Sequence, residues 1–258
     1  MLIDSHIHVG QYYDQYHSPA DIVRLAYDVG IDYLAVSSTT MCEENYEKVI
    51  GEIEELISLL GERILPTMWI TPFGLEGNIA WFLESNIKWR CLKVHPFLHK
   101  NDWNPAGSQF AEVIEIARGL EIPLLIHTGV DECCRSSKYI SLISSNPDIT
   151  FILAHGQPLE DALQVLGKCD NAFVDSAFMA VKQMFEIVKA GFANRLLWGT
   201  DMLIPSHFLP KQNMVIFYKS KMSYFKDLVS IQDFEQVMFM NSTKVFKIST
   251  GKVIAQQK

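Results

Sequence analysis

The sequence predicts an α/β protein, a single (β/α)8 barrel domain over residues 1–258. Three observations predict it. Short apolar runs recur along the chain, most of them separated by stretches with a helical apolar period. Strands that alternate with helices build a parallel sheet. The length of 258 residues suits eight such units in one domain. A doubly wound open sheet is the structural alternative. No Gly-x-Gly-x-x-Gly follows the first run, so dinucleotide binding has no support.

The elements follow in order. "LIDSHIHV" (2–9) reads as a strand with Ile3, Ser5, Ile7 and Val9 on one face and Leu2, Asp4, His6 and His8 on the other. Ser18-Pro19-Ala20-Asp21 starts a helix, with Ser18 as cap, Pro19 in the first turn and Asp21 three residues after the cap; Gly30 stops it. "DYLAVSST" (32–39) is the second strand. "YEKVIGEIEELISLLG" places Val49, Ile53, Leu56, Ile57 and Leu60 on one stripe and ends at Gly61. "ILPTMWI" (64–70) is the third strand, "RCLKVH" (90–95) the fourth and "PLLIHTG" (123–129) the fifth. "TFILAHG" (150–156), "NAFVDSA" (171–177) and "RLLWGTD" (195–201) complete the set. "FAEVIEIARG" and "LEDALQVLG" are helices, with weaker patterns over 78–85, 138–145 and 181–190. Lys211, Lys219, Lys221 and Lys226 are interleaved with apolar residues and read as a solvated loop.

Apolar residues make up 48% of the chain, enough for a full core, and charged residues 20%, which argues against disorder. The net charge is −8 with no basic stripe, so no nucleic-acid partner is expected. The five cysteines are odd in number and lack a spaced framework, which points to reduced thiols. No apolar run approaches ~18 residues and no leader pattern precedes the first strand. The expectation is a cytoplasmic protein with no membrane partner.

The unusual residues fall at strand ends. In such a barrel the C-terminal ends of the strands face the active-site mouth. His6 and His8 end the first strand, Lys93 and His95 the fourth, His127 the fifth, His155 the sixth, Asp175 the seventh and Asp201 the eighth. Histidines and a carboxylate converging on one mouth are donors suited to a divalent transition metal.

The order His-x-His, lysine on strand four, histidine on strands five and six, and aspartate on strand eight resembles the amidohydrolase superfamily. The branch it is most similar to is the amidohydrolase-related, or type 2, metal-dependent hydrolases, related to aminocarboxymuconate-semialdehyde decarboxylase. "DSHIHVG", "KVHP", "LLIHTG", "ILAHG" and "LLWGTD" carry the resemblance, and "VMFMNSTKVFKI", with Asn241 and Phe246, resembles the closing helix. A family with a related His-x-His start, the TatD-type DNases, has a glutamate on strand four that "RCLKVH" lacks. The loop "TDMLIPSHFLP" departs from the usual aromatic-Pro turn after strand eight.

The resemblance implies His6, His8, His127 and Asp201 as metal ligands. Asp201 is also the implied general base, and His155 the second catalytic group. The implied cofactor is one divalent metal per chain, zinc first, with manganese, iron and nickel as alternatives. Lys93 and His95 are substrate-binding candidates. In binuclear relatives the Lys93 position can become a bridging carbamate; the "KVHP" context resembles mononuclear members more. Contact with a substrate carboxylate, or pairing with Asp201 or Asp175, stays open for Lys93, as does simple packing for His95. Asp175 reads as structural, His17, His99 and His207 as loop histidines, two of them exposed, and Trp103 and Phe208 as walls of the pocket. Adjacent cysteines chelate one metal poorly, so Cys133-Cys134 reads as incidental. The implied reaction is hydrolysis of an amide, lactone or ester of a small molecule. The rivals are non-oxidative decarboxylation, with Arg135 or Lys93 on the carboxylate, and a non-catalytic metal-binding barrel. A homodimer is left open.

Overall fold

The computed structural model describes residues 1–71, 79–98 and 103–249. His99 and the first residue of the 78–85 helix lie outside them. The strands are β1 (Ile3–Tyr12), β2 (Gln15–His17), β3 (Tyr33–Ser38), β4 (Ile64–Trp69), β5 (Cys91–Val94), β6 (Leu124–His127), β7 (Phe151–Ala154), β8 (Ala172–Asp175) and β9 (Leu196–Leu197). They form one sheet in the order β2-β1-β3-β4-β5-β6-β7-β8-β9. Among the described residues, only the β1–β2 hairpin is antiparallel; every other pairing is parallel. The ring closes through the backbone after β9. Ser5 N–H donates to the Trp198 carbonyl at 2.9 Å, Asp201 N–H to the His6 carbonyl at 2.7 Å and His8 N–H to the Met202 carbonyl at 2.6 Å. Eight parallel strands therefore surround one axis, with most of the helices between them.

The barrel interior is filled, not hollow. Ile3, Ala35, Leu65, Cys91, Leu125, Ile152, Phe173 and Leu197, one from each parallel strand, form an inner apolar cluster with Val245, Phe246 and Ile248. Residues two positions on share a strand face. Lys93, His127 and Asp175 each stand two residues beyond a member of that layer, which aims them into the barrel toward the C-terminal end. In β1 the alternation breaks. Its pairing with β3 shifts register between Asp4 and Ile7. Ile3 joins the interior cluster, whereas Ile7 and Val9 join the core between strands and helices. The expected shared face of Leu2, Asp4, His6 and His8 is thus corrected: a β-bulge lets Ile3 and then His6 and His8 face inward.

Local signals explain the helices. Ser18 and Asp21 form the capping box: Ser18 Oγ accepts from Asp21 N–H at 3.2 Å and Asp21 Oδ2 from Ser18 N–H at 3.0 Å. Gly30 ends the helix Pro19–Val29 with φ +90°. The helices Tyr46–Leu60, Ser108–Leu120 and Leu159–Lys168 stand where their apolar stripes put them. The 138–145 pattern forms a 3-10 turn over Ser136–Tyr139 and a helix over Ile140–Ser144. The 181–190 pattern becomes Val181–Ile187 followed by a wide turn.

One segment departs from expectation. The stretch read as a solvated loop is the helix Met214–Leu228, capped by Asn213 Oδ1 accepting from Ile216 N–H at 3.1 Å. Met214, Tyr218, Lys221 and Phe225 are its buried residues. They recur at helical spacing, and the apolar members cover the barrel. Lys211, Lys219 and Lys226 are exposed as read, but Lys221 is buried. Its ammonium donates to the Ser176 carbonyl at 2.9 Å and lies 5.3 Å from the Trp198 ring centre. Among the described residues, no helix is long and apolar enough to cross a membrane.

Burial lowers the Lys221 pKa to about 8, against the pull of Asp175 and Asp4. The unfolded chain holds this proton up to about pH 10.4. Between those values the unfolded state binds more protons, so this group's penalty on the fold is relieved as pH rises. Urea denaturation of wild type and Lys221→Met from pH 7 to 10 should show the wild type gaining stability relative to the variant, by on the order of 3 kcal/mol over the full window. A pH-independent difference would show that Lys221 is not held in this way.

Candidate metal centre at the mouth of the barrel

β1 delivers His6 and His8, and the segment that closes the ring delivers Asp201. All three are nearly inaccessible. Asp201 Oδ1 lies 3.1 Å from His6 Nε2 and 2.9 Å from His8 Nε2. From β5, Lys93 places Nζ 3.0 Å from each of these same two nitrogens. The opposite nitrogens of both rings are engaged as well. His6 Nδ1 lies 2.9 Å from Asp175 Oδ2. His8 Nδ1 lies 3.0 Å from Ser37 Oγ and 3.3 Å from the Ser37 carbonyl oxygen. With its proton on Nδ1 each ring donates to Asp175 or Ser37 and accepts from Lys93 at Nε2, and the same Nε2 lone pairs face Asp201 Oδ1 with no proton between them.

The segment bearing Asp201 is clamped. Asp4 Oδ1 accepts from the backbone N–H of both His6 and Thr200 at 3.1 Å, and Asp4 Oδ2 from Thr200 Oγ1 at 2.5 Å. Tyr218 Oη donates to the Thr200 carbonyl at 2.8 Å. Asp201 is held in the left-handed region at φ +57°. Gly199 permits the close approach: a Cβ there would stand 3.2 Å from His6 Cβ and Ser5 Oγ and 3.3 Å from Asp175 Cβ. Burial raises the Asp4 carboxyl to about 7, against the hydrogen bond from Thr200.

Charge in the centre follows from burial and neighbours. Burial and the Lys93 ammonium lower His8 to about 3, so its ring is neutral. Burial lowers Lys93 to about 8, against the attraction of Asp201 and Asp175. Burial alone would raise Asp201 and Asp175, but the neighbouring histidines hold both below the usual carboxylate range. Burial lowers His95, His127 and His155.

Beyond this group stands a second layer of rings. His155, at φ +68° just after β7, sends Nε2 to within 3.1 Å of His127 Nδ1, and its own Nδ1 is buried without a hydrogen-bond partner. His127 stacks on His95 with centroids 3.7 Å apart, and His95 stacks on Trp69 at 5.3 Å. Asp175 holds this layer too: Oδ1 accepts from His155 N–H at 2.9 Å.

The structure thus brings His6, His8, Asp201 and Lys93 into direct contact. His155 lies beside them, its ring centre 5.2 Å from that of His6, while His127 and His95 meet the group through His155 and through each other. Among the described residues, His6, His8 and Asp201 form one group able to hold a metal ion, and His6, His155 and Asp175 another. The donor set fits a divalent transition metal: two imidazole nitrogens, a carboxylate that stays ionised, and second partners on each ring.

Other expectations resolve differently. Trp103 is buried against Phe110, at 5.3 Å between centroids, and packs its loop down. His17 and His207 are half-buried, and the β1–β2 hairpin folds Tyr12 and Tyr13 over His207. Phe208 stays exposed and meets Phe178, which meets His155 at 5.6 Å. Arg135 is held by Asp161, at 2.8 and 2.9 Å. Sequence reasoning gave Asp175 only a structural part; its position two residues beyond an interior residue was the available signal. The Asp4–Thr200 clamp joins residues 196 apart and had no local signal.

A barrel with this donor cluster at its mouth defines a metal-dependent enzyme of the amidohydrolase superfamily. The chain belongs to the amidohydrolase family, whose model matches residues 3–248. No curated protein sequence matches it. Among solved structures it is similar to an uncharacterised TIM-barrel protein from Bordetella bronchiseptica (TM-score 0.71, 12% identity, 95% of this chain and 98% of that one). It is similar to a probable 2-pyrone-4,6-dicarboxylic acid hydrolase from Acinetobacter baumannii with citric acid bound (TM-score 0.65, 12% identity, 95% and 99%). It also resembles a 5-carboxyvanillate decarboxylase from Novosphingobium aromaticivorans with bound manganese (TM-score 0.65, 10% identity, 88% and 80%). At these identities the likeness shows the shared fold.

Replacing Asp175 by Asn removes the carboxylate that orients His6. Zinc or manganese binding, read by competition with a chromophoric chelator, should weaken by about 10–100-fold. Asp148→Asn, at an exposed ion pair with Arg118, should leave it unchanged. Equal affinity in wild type and Asp175→Asn would remove Asp175 from the centre.

Proposed function

We propose that this chain is a metal-dependent hydrolase that cleaves a C–N or C–O bond, in an amide, lactone or ester of a small molecule. The observation that carries the reading is the convergence of His6, His8 and Asp201 beside His155. In this reading His6, His8 and Asp201, with His127 completing the set, hold one zinc ion per chain. Such an ion supplies Lewis acidity, polarising a substrate carbonyl and acidifying water.

The protein's own groups then divide the work. Asp201 is ionised, so it takes the proton of the attacking water as general base. Being a weak base, it releases that proton readily to the leaving group. His155 bonds the substrate oxygen as negative charge grows on it. Its unpartnered Nδ1 supports a polar task that the fold itself does not use. Lys93 and His95 line the substrate side. The partner is a small molecule rather than nucleic acid, since a net charge of −8 opposes a phosphate backbone. The setting is the cytoplasm.

Decarboxylation of a small carboxylic acid is the rival reading. It needs a cation to hold the carboxylate; Arg135 is engaged by Asp161, and Lys93 by His6 and His8. These commitments favour hydrolysis. The test is a panel of small amides, lactones and esters with the zinc- or manganese-loaded protein, and parallel carboxylic acids assayed for carbon dioxide. Hydrolysis of one class without carbon dioxide release supports the reading; carbon dioxide release with no hydrolysis overturns it. Asp201→Asn should lower turnover by roughly 10²–10⁴, or about 3–6 kcal/mol of barrier, with most of the metal retained. Activity above about a tenth of wild type would assign the base elsewhere.

A further inference from the structure

The loop after β6 carries a feature that the proposed hydrolysis does not use. Cys133 and Cys134 are neighbours in sequence, and their sulfurs lie 3.5 Å apart. Cys133 is half-buried and reachable from outside, whereas Cys134 is buried. The surrounding turn is well fixed. Cys134 N–H donates to the Asp131 carbonyl at 2.8 Å, and Gly129 N–H donates to the Cys134 carbonyl at 3.0 Å. Tyr139, itself buried, donates its hydroxyl to the Cys133 carbonyl at 3.1 Å. The loop flanks the centre: a Cβ on Gly129 would stand 3.9 Å from Cys134 Cβ and 4.0 Å from His127 Nε2.

Two sulfurs at this spacing, presented by a fixed turn, form a ready chelate. Joining them directly is unfavourable. Adjacent Cα atoms are about 3.8 Å apart, below the usual span of a disulfide, so the closed ring would be strained. Inserting one further atom between the sulfurs removes that strain. A tetrahedral metal wants four ligands, which adjacent cysteines supply poorly. A trivalent centre that binds only two thiolates in addition to a group of its own has no such demand. Soft thiolates select soft partners, whereas imidazole and carboxylate suit zinc or manganese. The mouth therefore carries two donor sets of different chemistry.

We propose that Cys133–Cys134 is a dithiol site for a thiophilic trivalent centre of the organoarsenical class, adjoining but separate in chemistry from the histidine–aspartate centre. The accessible Cys133 sulfur attacks first, and Cys134 closes the ring intramolecularly. With an arsenoxide, two As–S bonds form and the arsenic–oxygen bond breaks. The two thiol protons leave with that oxygen as one water, and no atom is oxidised or reduced.

The probe is phenylarsine oxide, added to the folded full-length protein without reductant and read by intact mass. Wild type should gain one phenylarsenic unit per chain, with two thiols lost to a thiol reagent. A small dithiol should release it and an equal concentration of monothiol should not. Cys133→Ser and Cys134→Ser should each bind at least about a hundredfold more weakly, because the second bond to a chelate is intramolecular. Cys42→Ser, which removes the exposed cysteine elsewhere at the mouth, should bind as wild type does. The proposal fails if either loop variant binds as tightly as wild type, if monothiol strips the adduct, or if Cys42→Ser abolishes it. Because none of these readouts uses turnover, its failure is distinct from failure of the hydrolase reading.

Discussion

Three lone-pair donors held against one another in a buried space demand a positive charge, and the mouth of this barrel is organised around that demand. His6 Nε2, His8 Nε2 and Asp201 Oδ1 sit within 3.1 Å of one another or closer along each His–Asp contact. Both imidazoles direct their protons away, toward Asp175 and Ser37. Without a cation these groups would repel in surroundings that screen poorly. The Lys93 ammonium meets the need at 3.0 Å from both nitrogens. Burial brings it close to losing its proton near neutral pH. A divalent ion would answer the same demand with more charge.

Holding such donors together takes rigidity, which comes from the way the ring closes. The bulge in β1 turns His6 and His8 inward above Ile3. Backbone bonds from Ser5, His8 and Asp201 then join β1 to the segment after β9. Asp4 bonds the backbone of both His6 and Thr200, so the segments bearing His6 and Asp201 cannot separate without breaking the same carboxyl's contacts. Tyr218 braces Thr200 from the helix Met214–Leu228, and Lys221 on the same face braces Ser176, next to Asp175. That helix covers the barrel and also supports both carboxylates that meet His6. A site built on strand ends and second partners in this way is fixed before any ligand arrives.

Much of this was legible in the sequence because the barrel writes its layers at fixed intervals. Cys91 and Lys93, Leu125 and His127, and Phe173 and Asp175 each pair an interior apolar residue with a polar one two positions on, which strand alternation makes readable. The same rule misled in β1, where a bulge breaks the count and no residue type announces it. The helix Met214–Leu228 was obscured by its lysines. Lys221 sits among its buried positions, and a buried lysine looks like surface in a one-dimensional reading. The second partners of the ligands were out of reach for a different reason. Asp4 meets Thr200, and His6 meets Asp175, across the closure of the ring, and such pairings follow from topology rather than from neighbours in the chain.

The rim shows how the same centre would choose among substrates. Rings line it outward from His155: Phe178, then Phe208, then His207 with Tyr12 and Tyr13. Phe178, Phe208 and Tyr13 are exposed, so their faces are available for contact. Ring faces recognise flat or apolar bodies, and a few polar groups deeper in fix their orientation. In the loop after β6 the cation is engaged, since Arg135 is bound twice by Asp161. A substrate whose reactive group is a neutral carbonyl needs no cation there. Under the proposed hydrolysis it would need a polarising charge at His6, His8 and Asp201 and a donor at His155. A carboxylate would instead have to compete with Asp201 for Lys93. Charge around the mouth is thus already committed, Arg135 to Asp161 and Lys93 to His6 and His8.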